Sequence, residues 1–245
     1  RRGGDCRGAG DCGGEGGDMS AVDFVPLERA GLNLRAVFDL TALPAELRTA
    51  LDAAGRYRQL ILLGHGGRTL WQRVQAAGLQ SEHPIDDFCV ATVEAWFAAE
   101  LPGCAHALLY PGDTPVGLQA LGRLAGWHHE SPFRVGINAE WGSWFAYRVL
   151  ALADSALAPT PPLAGESPCA RCATQPCVAA CPADALGDRQ FSLQKCIAYR
   201  RQPDSRCRVT CVARTSCPVR PEHRYDDAQI AHSYARSLAM IERWG

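Results

Sequence analysis

The stretch Cys169–Pro182 reads C-A-R-C-A-T-Q-P-C-V-A-A-C-P, and Cys196, Cys207, Cys211 and Cys217-Pro218 follow it. Eight cysteines thus fall into two groups, each ending in Cys-Pro. Iron-sulfur cubanes are held by four thiolates each, and in two-cluster ferredoxins the Cys before Pro ligates the other cluster of the pair. The pattern therefore matches two [4Fe-4S] clusters. The crossed assignment puts Cys169, Cys172, Cys177 and Cys217 on one cluster and Cys196, Cys207, Cys211 and Cys181 on the other. A short loop wraps three corners of a cubane and a remote Cys closes the fourth, so cluster binding also contributes folding energy. Disulfides suit small secreted domains. Zinc favours paired C-x2-C knuckles, and only Cys169 and Cys172 have that spacing here. Neither alternative explains two Cys-Pro endings.

Outward from this module, composition bounds the rest. At 245 residues, 47% hydrophobic and a formal net charge of -1, the chain reads as a globular protein of one large or two modest domains. No apolar run approaches the roughly 20 residues that span a bilayer. The balanced charge makes nucleic acid an unlikely main partner. Arg200, Arg201, Arg206, Arg208, Arg214 and Arg220 gather near the second cysteine group and read as a solvated rim around anionic clusters, or as a dock for an acidic electron donor.

Residues 1–18 contain eight glycines and no apolar segment, so they are expected to be disordered, with Met19 the natural start and Cys6 and Cys12 not ligands. No apolar core follows Arg1-Arg2, so a twin-arginine signal is set aside and a cytoplasmic location is expected. Residues 19–158 alternate strand-like and helix-like segments. Arg58–Leu63 and Ala105–Tyr110 read as strands; Leu70–Ala77, Pro84–Glu100 and Leu118–Ala125 read as helices; Trp144–Ala153 reads as either. Alternation of this kind predicts an α+β domain. Residues 159–168 carry four prolines and read as an extended linker denied sheet or helix hydrogen bonding, 169–220 form the ferredoxin-like module, and 221–245 form a helix with Ile230, Tyr234, Leu238 and Ile241 on one stripe that packs back.

A second informative stretch runs from Gly126 to Arg148, G-W-H-H-E-S-P-F-R-V-G-I-N-A-E-W-G-S-W-F-A-Y-R. Trp127, Trp141, Trp144, Phe133, Phe145 and Tyr147, interrupted by glycines, suit the wall of a flat cofactor's pocket, and equally suit a core. Here the chain resembles cobalamin-processing proteins of the CblC type: G-I-N-A-E-W-G-S-W-F-A-Y-R is similar to their G-I-H-P-x-(F/Y)-G-x-W-F-A-x-R. That nitroreductase-like α+β fold recurs in the corrinoid domains of reductive dehalogenases and epoxyqueuosine reductases. P-E-H-R-Y-D-D-A-Q-I-A-H-S-Y resembles the family's C-terminal helix, and C-P-A-D-A-L and K-C-I-A-Y-R resemble the epoxyqueuosine reductase cluster module.

The resemblance, from about Ala105 onward, implies cofactor contacts from Gly136, Asn138, Trp141, Gly142, Trp144, Phe145 and Arg148. It departs at Asn138 and Ala139, where the family commonly carries His and Pro, and Asn hydrogen-bonds without being a comparable base or ligand. Tyr110, His128 and His129 are candidate catalytic proton donors. His65, at a strand end in G-H-G-G, is a candidate ligand contact or a turn residue, whereas Cys89 and Cys104 read as core thiols. The expected function is an iron-sulfur oxidoreductase passing low-potential electrons from a ferredoxin, flavodoxin or flavin reductase through two clusters to a bound corrinoid, for cobalamin reduction, upper-ligand removal or reduction of an organic substrate. The alternatives are a dicluster electron carrier without corrinoid that docks to a partner oxidoreductase, and epoxyqueuosine reductase-like tRNA modification.

Overall fold

The computed structural model describes residues 22–52, 54–187 and 190–244. The expectations for residues 1–18, including Cys6 and Cys12, lie outside them.

Four strands, β1 (Leu34–Asp39), β2 (Gln59–Gly66), β3 (His106–Tyr110) and β4 (Phe145–Ala153), form one antiparallel sheet in the order β1-β2-β4-β3. Central β2 is buried along its whole length. Successive side chains of a strand point to opposite faces. On one face Ile61, Leu63, Val149 and Ala151 pack with residues of α1 (Val25–Arg29), α3 (Thr69–Ala77) and α4 (Pro84–Glu100); on the other Leu60, Leu62, Leu150 and Leu152 pack with residues of α2 (Ala45–Leu51) and α5 (Leu118–Leu124). A strand covered on both faces reads as a continuous apolar run, which is why R-Q-L-I-L-L stood out. The same double burial makes Trp144–Ala153 a strand from Phe145 onward, hydrogen-bonded on both edges. The α4 helix starts at Pro84 with Asp86 and Asp87 in its first turn, where the positive end of the helix dipole favours acids.

The proline-rich segment is not free of the sheet. Thr160 donates from its backbone to the Val37 carbonyl (2.9 Å) and accepts the Val37 N–H on its hydroxyl (3.1 Å), capping the exposed edge of β1. Leu163 then bonds to Ala125 (2.9 Å). The prolines keep the chain extended, and the threonine between them supplies the donor that they lack.

The cysteine-bearing module carries α6 (Pro176–Ala179), α7 (Leu193–Arg201) and α8 (Val212–Thr215), and packs Cys177, Leu186, Ala213 and Cys217 against Phe133 and Ile137 of the preceding aromatic stretch. The last helix, α9 (Asp227–Trp244), returns to the sheet domain. Its stripe buries Ile230 and Leu238, Gln229 reaches β2, His232 packs on Trp71 at 5.0 Å, and Arg200 of α7 bonds to Tyr234 and Ser237. Among the described residues, no helix is long and apolar enough to cross a membrane.

Candidate functional site

All eight module cysteines are free thiols. Cys169 sits in a one-turn 3-10 segment with Cys172 at its end, Cys177 is in α6, Cys196 is in α7, and Cys211 precedes α8. Their electrostatic influence on one another runs within two sets. Burial, then Cys217, Cys177 and Cys172, pushes the Cys169 thiol up to about 11. Cys177 is raised by burial and by Cys217 and Cys172, and Cys217 by burial and by Cys172. In the second set, Cys196 is raised by burial and by Cys211, Cys181 and Cys207, against a lowering effect of Arg200; Cys211 is raised by burial and by Cys207. Burial is the first cause for each of these five thiols, and a neighbouring cysteine of the same set adds to it.

The second set shares a cavity of about 150 Å³, lined by Cys181, Cys196, Cys207 and Cys211 together with Phe133 and Tyr199. Among the described residues, no three His, Cys, Asp or Glu side chains are drawn together as a single metal ion requires. Behind this cavity stands Arg200, expected at a solvated rim but only 6% exposed. It donates to the carbonyls of Cys207 (3.1 Å) and Tyr234 (2.9 Å) and to the Ser237 hydroxyl (3.0 Å), which fixes the second cysteine loop to α9.

A different cavity, of about 360 Å³, opens between β4, the start of α4, α8 and α9, and its walls include Tyr110, Phe145, Arg148, Arg214, Tyr225 and Arg236. Val135 lines this cavity and the second thiol cavity alike. Arg148 Nε donates to His65 Nδ1 at 2.9 Å, so the neutral imidazole carries its proton on Nε2, 3.4 Å from the Gln229 amide, which must turn its oxygen there. His65 is wholly buried and stacks on Tyr225 with ring centroids 5.4 Å apart. Burial, then Arg148 and Arg214, holds its pKa well below the usual imidazole range. Arg214 lies 4.5 Å over the Trp144 ring and 5.2 Å over the Tyr225 ring. Its Nε and the Tyr225 hydroxyl are buried without hydrogen-bond partners.

The other expected site residues lie elsewhere. His128 is buried against the Tyr147 hydroxyl at 3.0 Å, its pKa lowered by burial, and His129 bridges by backbone to Ile137. Gly136 leaves room for His128 and Phe145. Asn138 is a buried turn cap: Nδ2 donates to the Trp127 carbonyl (3.0 Å), and Oδ1 accepts from the backbone N–H of Glu140 (3.1 Å) and Trp141 (2.8 Å). Trp141 rests on Gly66 and on His223. Gly142 meets Val219 in the cysteine-bearing module, and Trp144 is fully buried against Tyr225 and Ile230. The aromatic stretch is thus chiefly the packed seam between sheet and cysteine-bearing module; of the seven residues expected to touch a cofactor, Phe145 and Arg148 line the cavity, together with the catalytic candidate Tyr110. Sequence reasoning missed Arg214, Tyr225 and Arg236 as wall residues. The available signal for Arg214 was its place between two cysteines, Cys211 and Cys217.

No protein-family model and no curated protein matches the chain. Solved structures do. An epoxyqueuosine reductase from Bacillus subtilis superposes with TM-score 0.51 at 13% identity, over 83% of this chain and 66% of that one. An epoxyqueuosine reductase solved with an epoxyqueuosine-modified tRNA-Tyr stem loop gives 0.53 and 13%, over 84% and 67%. A reductive dehalogenase whose structure suggests a mechanism for B12-dependent dehalogenation gives 0.50 and 13%, over 94% and 36%. The chain spans about two thirds of the reductases and a little over a third of the dehalogenase. At this identity the likeness is one of fold, and it includes the N-terminal half, where the sequence carried no resemblance.

Proposed function

We propose that the chain is an iron-sulfur oxidoreductase in which Cys169, Cys172, Cys177 and Cys217 hold one [4Fe-4S] cluster and Cys181, Cys196, Cys207 and Cys211 hold the other. Electrons from a reduced ferredoxin, flavodoxin or flavin reductase pass to an acceptor in the cavity of Arg148 and Arg214. When bound, the clusters supply one-electron transfer at low potential. The observation that carries the reading is the gathering of Cys181, Cys196, Cys207 and Cys211 around one cavity, which shares Val135 with the acceptor cavity. The chain's residues do the rest: Arg200 holds the second loop on α9, and His65 holds Arg148 toward the acceptor.

A corrinoid is the acceptor implied by the sequence resemblance, and one protein of this fold is B12-dependent. Phe145 and Arg148 suit that role, but an interior of about 360 Å³ is of small-molecule size and does not enclose a macrocycle with its nucleotide tail. The same observation favours, as a second reading, an electron carrier that serves a partner or a small acceptor. A reductase of the same fold was solved with a tRNA stem loop, so balanced charge alone does not set RNA aside.

Anaerobic reconstitution tests the core of the proposal. About eight iron and eight sulfide per chain are expected for two four-iron clusters; zinc in their place overturns it. Absorbance spectra with and without added cobalamin separate the corrinoid reading from the carrier.

A further inference from the structure

We infer that the cavity between β4, α8 and α9 binds a small organic oxyanion, a carboxylate or a phosphate monoester, gripped by Arg148 and Arg214. The inference deepens the redox reading by giving the acceptor a chemical class.

A guanidinium stays protonated in a protein, so a buried one needs compensation. Arg214 is 7% exposed, and its Nε has no hydrogen-bond partner. Among the described residues the ion pairs include neither Arg214 nor Arg148. The Trp144 and Tyr225 ring faces and the Ser143 carbonyl meet part of the Arg214 charge, but none of them is an anion. Arg148 arrives from β4 with its Nε fixed on His65, which leaves its terminal nitrogens for the cavity.

The wall contributes a third positive charge, Arg236, and one carboxylate, Asp86; His83, His232, Tyr110 and Tyr225 complete its titratable groups. The excess is positive, and two guanidiniums from different elements match the paired oxygens of a carboxylate or phosphate. The Tyr225 hydroxyl, beside Arg214 in the same wall, has its O–H left to donate, and Phe145 and Tyr110 give the organic body an apolar surface. The bland competitor is that Arg214 offsets the charge of the neighbouring clusters. It does not account for Arg148, which β4 and His65 hold in the cavity wall.

The test is calorimetric titration of the anaerobically reconstituted protein with inorganic phosphate and with benzoate, at constant ionic strength in chloride. Saturable one-to-one binding of at least one probe is expected, weakened tenfold or more in Arg148→Gln and partly restored in Arg148→Lys. Binding of neither probe above chloride, or unchanged affinity in Arg148→Gln, overturns the inference. So does an Arg214→Gln protein that loses its cluster signal and keeps wild-type affinity, since the arginine then serves the clusters. Iron and sulfide contents of the same preparations report on the redox reading separately, so either can fail alone.

Discussion

Arg148 reaches the acceptor cavity only after tying its Nε to His65 Nδ1 at 2.9 Å, and His65 is itself closed in by Tyr225 and Gln229. The contact needs a neutral ring. Burial above all, and then the charges of Arg148 and Arg214, disfavour a protonated His65 and hold its pKa well below 6.5. The unfolded chain therefore takes up that proton first, so the stabilising contribution of His65 is complete above about pH 6.5 and is lost as pH falls below it, by at most about 1.4 kcal/mol per pH unit for one proton. His128 and His232 shift in the same direction, and His106, raised chiefly by its Glu94 partner against its own burial, contributes in the opposite one. Denaturation at pH 7.5 and 5.5 is expected to show a smaller loss for His65→Gln than for the wild type. Parallel losses would remove His65 as the source.

Trp144 is expected to behave as core. It is fully buried, edge-on to Tyr225 and under Arg214, and away from the cavity surface. Trp144→Ala should cost about 3–5 kcal/mol, as for a large buried ring, with partial cluster loss, because α8 and α9 meet around it. A variant of wild-type stability with weakened ligand binding alone would show that the ring belongs to a binding site.

How far the sequence carried is clearest at these same residues. β2 and α4 were legible because continuous burial and a Pro-Asp-Asp helix start leave a local trace, whereas the β4 segment read equally as strand or helix. β1 was not legible, because Arg35 and Asp39 interrupt its apolar pattern on a strand whose outer edge is covered by Thr160, more than a hundred residues away. The shared cavity of Cys181 with Cys196, Cys207 and Cys211 agrees with the crossed grouping read from the two Cys-Pro endings. The acceptor cavity was not legible, since Tyr110, Arg148, Arg214, Tyr225 and Arg236 come from five places in the chain and meet only in the fold. The aromatic stretch misled for a plain reason: composition cannot tell a ring that faces a ligand from one that faces another element.

Arg200 ties the second cysteine loop to α9 through the carbonyls of Cys207, Arg208 and Tyr234 and the Ser237 hydroxyl, with no carboxylate among its hydrogen-bond acceptors. Removing it leaves several acceptors in a buried place, at about 1–3 kcal/mol for each left unsatisfied. Arg200→Met should destabilise the fold and selectively weaken the electron paramagnetic resonance signal of the cluster held by Cys196, Cys207 and Cys211. Arg200→Lys is expected to rescue poorly, because one ammonium cannot reach acceptors spread across a planar fork. Full rescue would mean that charge alone matters.

Cys181 ends the first cysteine motif, yet it shares its cavity with Cys196, Cys207 and Cys211. Cys181→Ala should therefore damage the cluster of the second motif and spare that of Cys169, Cys172 and Cys177. Resonance spectra showing the reverse would undo the crossed ligation.

Gly142 lies where the sheet domain touches the cysteine-bearing module. Its φ is +60°, and a Cβ added there would stand 2.4 Å from the Val219 carbonyl oxygen, two residues after Cys217. That atom is backbone, in the segment that follows Cys217, so it cannot swing aside as a flexible side chain would. Gly142→Ala should therefore incur both the strain of a left-handed residue, about 1 kcal/mol, and the cost of pushing the Val219 segment away. Gly78 provides the control: its φ is +61° and nothing lies within 4 Å of an added Cβ. Gly78→Ala is expected to show the strain alone, with both clusters intact. Gly142→Ala should lose more stability in denaturant than Gly78→Ala and shift the signal of the cluster that includes Cys217. Equal losses in the two variants, with unaltered spectra, would mean that the two parts of the molecule do not press together at this glycine.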